Sequence, residues 1–449
     1  MCESWTNKSV LVVGLARSGL AVSELLSDLG ARVQLSDAKE KIDGLDFLLA
    51  RGCEAYLGVP SEDLVFGCDA VVISPAVALD APVVQTAMQL SVPVYSELEL
   101  AASLLLGTQI GVTGTNGKTT TCELTGEILK QAGKRTFVAG NNGRALSSVV
   151  CEANEDTYTV VEVSSFQLEQ MDRFHPHGAA ILNLSPDHLN RHHTMEAYGA
   201  LKESLLKNQT KADFFVYNAD DVFCAAVASR AVARLVPFSS ARRLKDGAWV
   251  QDGYLMVAGR ALCPVDELSL KGAHNLENAL AAAAIAFELS VPAPVIRHAL
   301  RTFQGVEHRM ETVCTVGGIC FINDSKGTNP ESSLHAVRSM RQKTALIAGG
   351  DDKETDFTKF VLEIIGNRNI VHVVLIGKSA GKLQKKLEEE GYRAYTNAGF
   401  DFEKAINIAR GYVMDGGTVL LSPACASFDM FKDFEERGSR FKEIVQMLR

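Results

Sequence analysis

The run Gly114-Thr115-Asn116-Gly117-Lys118-Thr119-Thr120 holds residue types that handle phosphate. Its glycines let backbone N–H groups turn inward around phosphate oxygens, Lys118 supplies a point charge, and the Thr119 hydroxyl suits Mg²⁺. The short apolar run Gln109-Ile110-Gly111-Val112 precedes it, and a helical pattern from Thr119 to Ala132, ended by Gly133, follows. This order aims the positive end of a helix dipole at the loop, so ATP is the expected ligand. The spacing is tighter than G-x-x-x-x-G-K-[ST], with Val112 where the first glycine of that pattern falls. A glycine-rich turn that merely caps a helix is the bland alternative.

Other reactive groups stand where apolar runs end. Thr157 to Val163 reads as a strand that places Glu162 near its carboxyl end, the ligand edge of an open parallel sheet, where it could hold Mg²⁺. A solvent-facing strand-end glutamate is the alternative. The strand Ala179–Leu182 runs into Asn183-Leu184-Ser185-Pro186-Asp187-His188, which makes His188 a candidate metal ligand and Asp187 its orienting partner. Lys202 follows in a helical pattern from Ala197 to Lys207, where by itself it reads as a solvated charge. Further on, His308-Arg309, Asn323 to Pro330, Gly349 to Lys353 and Ser422 to Asp429 form polar strand-end loops, a second rim able to close over ATP and hold an anionic acceptor.

The elements that must position these groups alternate between β and helical patterns. The expected fold is α/β with three domains: a Rossmann-like domain over 1–98, a central P-loop ATPase-like domain with a mainly parallel sheet over 99–305, and a Rossmann-like domain over 306–449. In the first, Val10–Val13, a helix from Ser18 to Leu29, and the strands Val33–Ser36 and Ala70–Ile73 make a nucleotide-binding βαβ pattern. Its turn, Gly14 to Gly19, is G-x-x-x-x-G rather than G-x-G-x-x-G, which argues against NAD. An alanine-rich helix, Asn275 to Leu289, closes the central region. Its apolar run, Ala279 to Phe287, is too short to span a bilayer.

The net charge of −9 argues against a nucleic-acid partner held by phosphate contacts. The first residues carry no secretory pattern, so a cytoplasmic protein is expected, without membrane partners and as a monomer. The ten cysteines are scattered, with no C-x-x-C pair, and read as reduced, buried small hydrophobes.

With these residues in view, the chain resembles the Mur ligases over essentially its whole length. The resemblance is carried by Gly114–Thr120, Glu162-Val163-Ser164-Ser165-Phe166-Gln167-Leu168, Asn183–His188, Gly272-Ala273-His274-Asn275 with Asn278, His308-Arg309, Asp324-Ser325-Lys326 and Ser422–Ser427, in family order. The run Ser422 to Asp429, with the short first domain, resembles the members that add D-glutamate to UDP-N-acetylmuramoyl-L-alanine. A diaminopimelate- or lysine-adding ligase would be expected to carry an Asp-Asn-Pro-Arg type motif, which is missing. A folylpolyglutamate-type ligase would lack a UDP-binding first domain. A protein that hydrolyses ATP as a switch is the rival from another class.

The resemblance implies that ATP phosphorylates the substrate carboxylate and that an amine displaces the phosphate. It implies catalytic roles for Lys118, His188, Lys202 and Lys326. Two Mg²⁺ ions would be held by Thr119, Glu162, His188 and Lys202, the last as a carbamate. Gly114 to Thr120, Asn275, His308, Arg309 and Asp324 would surround the nucleotide. Leu15, Asp37 and Ser74 would meet the UDP moiety, Asn141 and His188 the muramoyl peptide, and Ser164 would be a further substrate contact. Lys353, Ser427, Phe428 and Phe434 would hold D-glutamate, with Thr328 nearby. Ala38 and Ala76 depart from the pattern expected around the uridine.

Overall fold

The computed structural model describes residues 5–351 and 355–448. The chain divides into two compact units at Phe303/Gln304.

The first unit contains two sheets. The amino-terminal sheet has five parallel strands in the spatial order Glu54–Leu57, Arg32–Asp37, Ser9–Val13, Ala70–Ile73, Val94–Ser96. Its central strand is apolar from Val10 to Val13 because both faces are covered: Val10 and Val12 enter one core, Leu11 and Val13 the other. Connections leave Ser9–Val13 and Ala70–Ile73 in opposite directions, which opens a crevice past their carboxyl ends.

The second sheet has nine strands, ordered Arg260–Pro264, Tyr254–Val257, Ala248–Gln251, Arg234–Ser239, Phe214–Asn218, Gly178–Ile181, Thr108–Thr113, Tyr158–Glu162, Thr136–Gly140. The first three pair antiparallel as a meander and the rest run parallel. Helices Lys118–Gln131, Ala273–Glu288 and Ala293–Thr302 cover one face, where Val160, Ala180 and Phe214 point. Val161, Ile181 and Phe215 point into the opposite core. The alanine-rich helix is buried from Asn278 to Ala286, its small side chains allowing close approach to the sheet and to the helix after the phosphate loop.

The expected boundary at residue 98 falls inside a helix, Glu97–Leu104. Leu100 joins the core of the five-stranded sheet, whereas Leu98, Ala101 and Ala102 join that of the nine-stranded sheet. Buried Glu97 strengthens the union: its Oε1 accepts from the Ser147 N–H (2.8 Å) and hydroxyl (2.7 Å). One helix shared by two cores explains why the first 303 residues form a single contact unit.

The second unit has six strands in the order Glu311–Val316, Ile319–Asn323, Thr418–Leu421, Thr344–Gly349, Ile370–Ile376, Tyr395–Gly399, parallel except for the first. Ala345 and Ile347 face one core, Leu346 and Ala348 the other. The loops after Asn323, Gly349 and Leu421 lie at one sheet edge, as the sequence suggests.

Candidate active site

Gly117 caps helix Lys118–Gln131 at φ 84°, and Gly114 sits at φ 153°. Both are conformations that L side chains rarely adopt. A Cβ on Gly117 would also run into Oδ1 of Asn278. Asn183, just past the neighbouring strand, clamps the loop: its Oδ1 accepts from the Asn116 N–H (2.9 Å) and its Nδ2 donates to the Asn116 carbonyl (3.2 Å). Its own carbonyl accepts from the Thr115 N–H. The loop therefore lies where connections from strands Thr108–Thr113 and Gly178–Ile181 diverge, the ligand position of an open sheet.

Lys118 Nζ curls back onto this loop, donating to the carbonyls of Gly114 (2.9 Å) and Thr115 (2.8 Å). Lys202 Nζ donates to the same Gly114 carbonyl at 2.9 Å. Lys202 is 1% exposed, which removes the solvated-charge reading. Its helix, Met195–Glu203, is followed by a 3-10 turn, Ser204–Leu206, so the expected span to Lys207 is not one α-helix. Burial, reinforced by the Lys118 charge and opposed by Asp187, pulls the Lys202 pKa down to about 6. Its Nζ rests 4.4 Å from the Tyr198 ring centroid, and the Tyr198 hydroxyl reaches Thr115 Oγ1 (3.3 Å).

Glu162 ends strand Tyr158–Glu162, in register with Val112, and is 3% exposed, so it does not face solvent. Its Oε1 accepts from Asn141 Nδ2 (2.8 Å). The chain reaches Asn141 through Gly140 at φ 114°, where a Cβ would strike the Glu162 carbonyl oxygen. Gly140→Ala is expected to lower unfolding free energy by more than about 1 kcal/mol, measured in a denaturant melt.

Thr119 and Thr120 are buried at the helix start. His188 is half exposed, with φ 52°, and its N–H donates to Asp187 Oδ1 (2.9 Å). Among the described residues no three His, Cys, Asp or Glu side chains approach closely enough to hold a metal. The set instead fits Mg²⁺: one buried carboxylate and a hydroxyl beside a phosphate loop are hard oxygen donors, and Mg²⁺ completes its shell with water and phosphate. Ser164 spends its hydroxyl on a capping box with Gln167.

In the five-stranded sheet, Gly14 turns at φ 87° against Ser74, and the Leu15 N–H donates to Asp37 Oδ2 (2.7 Å). The spacing to Gly19 has a steric cause: a Cβ there would run into the Gly14 carbonyl. Leu15, Asp37 and Ser74 thus meet at one crevice. Asn275 lies half-buried in the first turn of helix Ala273–Glu288, with its Oδ1 accepting from Asn278 Nδ2 (3.3 Å).

In the second unit Asp324 is buried, and its pKa is pushed up to about 6 by burial, against the Ser422 hydroxyl bond (2.7 Å) and the Arg309 charge. His308 is buried at φ 63°, its pKa lowered by burial, with Nδ1 3.0 Å from Asn323 Nδ2 and its ring edge-on to Phe434. Lys326 Nζ stands 5.8 Å from the Phe434 ring centroid, and the Thr328 N–H donates to the Lys326 carbonyl. Ser427 is buried and Phe428 exposed. Lys353 lies outside the described residues. Sequence reading missed Arg437, which is 1% exposed and donates to Ser325 Oγ (3.0 Å) and to the carbonyls of Ser325 (2.8 Å), Cys425 (3.1 Å) and Ala426 (3.3 Å). An arginine in a helical stretch carries no sequence signal that it ties two loops together.

Three family profiles match in chain order: "Mur ligase MurD-like, N-terminal domain" over 8–96, "Mur ligase middle domain" over 112–286 and "Mur ligase, glutamate ligase domain" over 308–425. A UDP-N-acetylmuramoylalanine–D-glutamate ligase of Pelotomaculum thermopropionicum is 44% identical, covering 100% of both chains. The chain belongs to the Mur ligase family. Solved structures agree on the fold of this Mur ligase. UDP-N-acetylmuramate-alanine ligase of Thermotoga maritima gives a TM-score of 0.64 at 20% identity, over 99% of this chain and 100% of that one. The MurF ligase of Thermotoga maritima, solved with ADP, gives 0.56 at 16%, over 100% and 98%. No helix of this Mur ligase, among the described residues, is long and apolar enough to cross a membrane.

Proposed function

We propose that this Mur ligase uses ATP to join D-glutamate to UDP-N-acetylmuramoyl-L-alanine, a step of peptidoglycan precursor synthesis. The observation that carries the reading is the full-length identity of 44% to a D-glutamate ligase, with no part of either chain left out. The phosphate loop supplies the matching chemistry. The substrate carboxylate attacks the γ-phosphorus, giving an acyl phosphate and ADP. The D-glutamate amine then adds to the acyl carbon, and phosphate leaves as the amide forms.

Such a reaction needs charge neutralisation and alignment more than covalent help from the protein. Lys118 would swing from the Gly114 and Thr115 carbonyls onto the β- and γ-phosphates, while the N–H groups of Gly114 to Thr120 hold their oxygens. Thr119 and Glu162 would hold one Mg²⁺, with Asn141 fixing the carboxylate, and His188 and Lys202 a second. When bound, Mg²⁺ supplies positive charge that offsets the charge building on the transferred phosphoryl oxygens.

Lys202 is proposed to act as a carbamate. CO₂ reacts only with a neutral amine, and a lysine held near pKa 6 is mostly neutral at pH 7. In the reaction the Nζ lone pair bonds to the carbon of CO₂ and one Nζ proton is released, leaving a carboxylate-like anion. An amine with no affinity for Mg²⁺ would thereby become an anionic oxygen ligand.

Leu15, Asp37 and Ser74 are the proposed UDP contacts, and Asn141, Ser164 and His188 those of the muramoyl peptide. Asn275, His308, Arg309 and Asp324 are proposed for the nucleotide, and Lys326 for the acceptor or phosphate. Thr328, Lys353, Ser427, Phe428 and Phe434 are proposed for D-glutamate. Phosphate release should require the UDP-muramoyl acceptor and D-glutamate together, as a coupled assay omitting each in turn would record. Steady ATP turnover indifferent to both substrates would instead support a nucleotide switch.

A further inference from the structure

Glu169 follows the short helix Ser165–Leu168 and belongs to none of the groups assigned above. Its carboxylate receives two neighbours from the short helix Leu189–His192, which His188 caps. Arg191 donates through Nη2 (2.7 Å) and Nε (3.1 Å) to Oε2, and His192 Nδ1 lies 3.0 Å from Oε1. The His192 side chain is buried, and its Nε2 stands 3.0 Å from Ser165 Oγ. Burial lowers the His192 pKa, against the raising effect of Glu169, so its neutral ring donates from Nδ1 and accepts the Ser165 hydroxyl at Nε2.

From this carboxylate two chains of contact run to two candidate metal ligands. Along the first, the Arg191 guanidinium lies 4.6 Å from the Phe166 ring centroid, and the Phe166 ring packs on His188 at 4.8 Å. Along the second, His192 stacks on Tyr198 at 5.3 Å with an interplanar angle of 15°, and Tyr198 carries Lys202 Nζ on its ring. The short helix Leu189–His192 is strained at both ends, because His188 (φ 52°) and His193 (φ 66°) both take positive φ without being glycine. Each costs about 1 kcal/mol or more and persists only where surrounding contacts impose it. The Glu169 pairs to Arg191 and His192 lie between those two strained positions.

We infer that Glu169 is a positioning residue that holds His188 and Lys202 in the geometry of the second metal site, acting through Arg191–Phe166 and through His192–Tyr198. The inference rests on the proposed metal set, in which both residues are ligands. Glu169→Gln keeps the side-chain volume and removes the charge on which both contact chains depend.

The test is Mn²⁺ binding to the full-length protein with ATP, followed by electron paramagnetic resonance and set beside steady-state kinetics. Glu169→Gln is expected to weaken the second Mn²⁺ by about 10-fold or more and to lower kcat by a similar factor, with KM for the UDP-muramoyl acceptor unchanged. Mn²⁺ affinity equal to wild type overturns the proposal, whatever happens to kcat or to the melting temperature. If Glu169→Gln is recovered unfolded, Arg191→Gln cuts one chain of contact alone, and its Mn²⁺ affinity decides by the same criterion. Wild-type protein that takes up a single Mn²⁺ with ATP overturns this proposal and the two-metal reading together. The dependence of turnover on D-glutamate tests the ligase reading separately, since Mn²⁺ binding with ATP needs no amino acid.

Discussion

Lys202→Ala should leave turnover at least about 10²-fold below wild type and partly restorable by short-chain carboxylates. The expectation begins with burial. A lysine 1% exposed, beside Lys118 and pulled down to about pKa 6, is mostly a neutral amine at neutral pH, yet its Nζ still donates to the Gly114 carbonyl. A neutral amine there can accept CO₂, and the resulting carboxylate would complete the proposed metal shell. Alanine leaves room for acetate or formate in the vacated position.

The sign of the pH dependence follows from the same shift. The folded pKa lies below the unfolded value of 10.5, so between about pH 6 and 10.5 the unfolded chain binds one more proton at Lys202. That group's contribution to the stability of the CO₂-free protein therefore rises with pH across the window, and is at its worst below pH 6. Comparing denaturant midpoints of wild type and Lys202→Met at pH 6 and pH 9 measures it. A fully active alanine variant, or an inactive one that no carboxylate restores although it folds and binds ATP, would remove the carbamate role.

Lys118→Ala should reduce turnover by about 10²-fold or more while the fold survives. Its ammonium donates to two loop carbonyls, Gly114 and Thr115. The β- and γ-phosphates offer far better acceptors, and a charge-assisted bond to the transferring group strengthens as negative charge builds there. Glu162→Ala, by contrast, should raise the Mg²⁺ requirement as well as slow the reaction, because it would remove the proposed metal ligand rather than a phosphate contact. Pre-steady-state phosphate release at limiting and saturating Mg²⁺ separates the two. Wild-type kinetics for Lys118→Ala would refute this placement of the phosphate site.

Local chemistry made much of this protein legible in its sequence. Glycine conformation, the strand–loop–helix order and Lys118 in register specify the phosphate loop within seven residues, since each requirement is met by near neighbours. The same holds for the turn from Gly14 to Gly19, whose spacing follows from the close approach of one glycine to the carbonyl of the other. The parallel sheets were legible because strands buried on both faces read as continuous apolar runs.

Tertiary structure alone decided the rest. Periodicity marks Lys202 as a helical charge, and only the packing of its helix against the phosphate loop buries it and changes its acid–base state. Glu97–Leu104 looks like a domain end, yet its faces enter two different cores. Glu169, His192 and Arg437 act through partners up to 112 residues away, a distance over which no sequence pattern extends. Chemistry set by neighbours in the chain can be read along it, whereas burial and charge coupling arise between segments that only folding brings together.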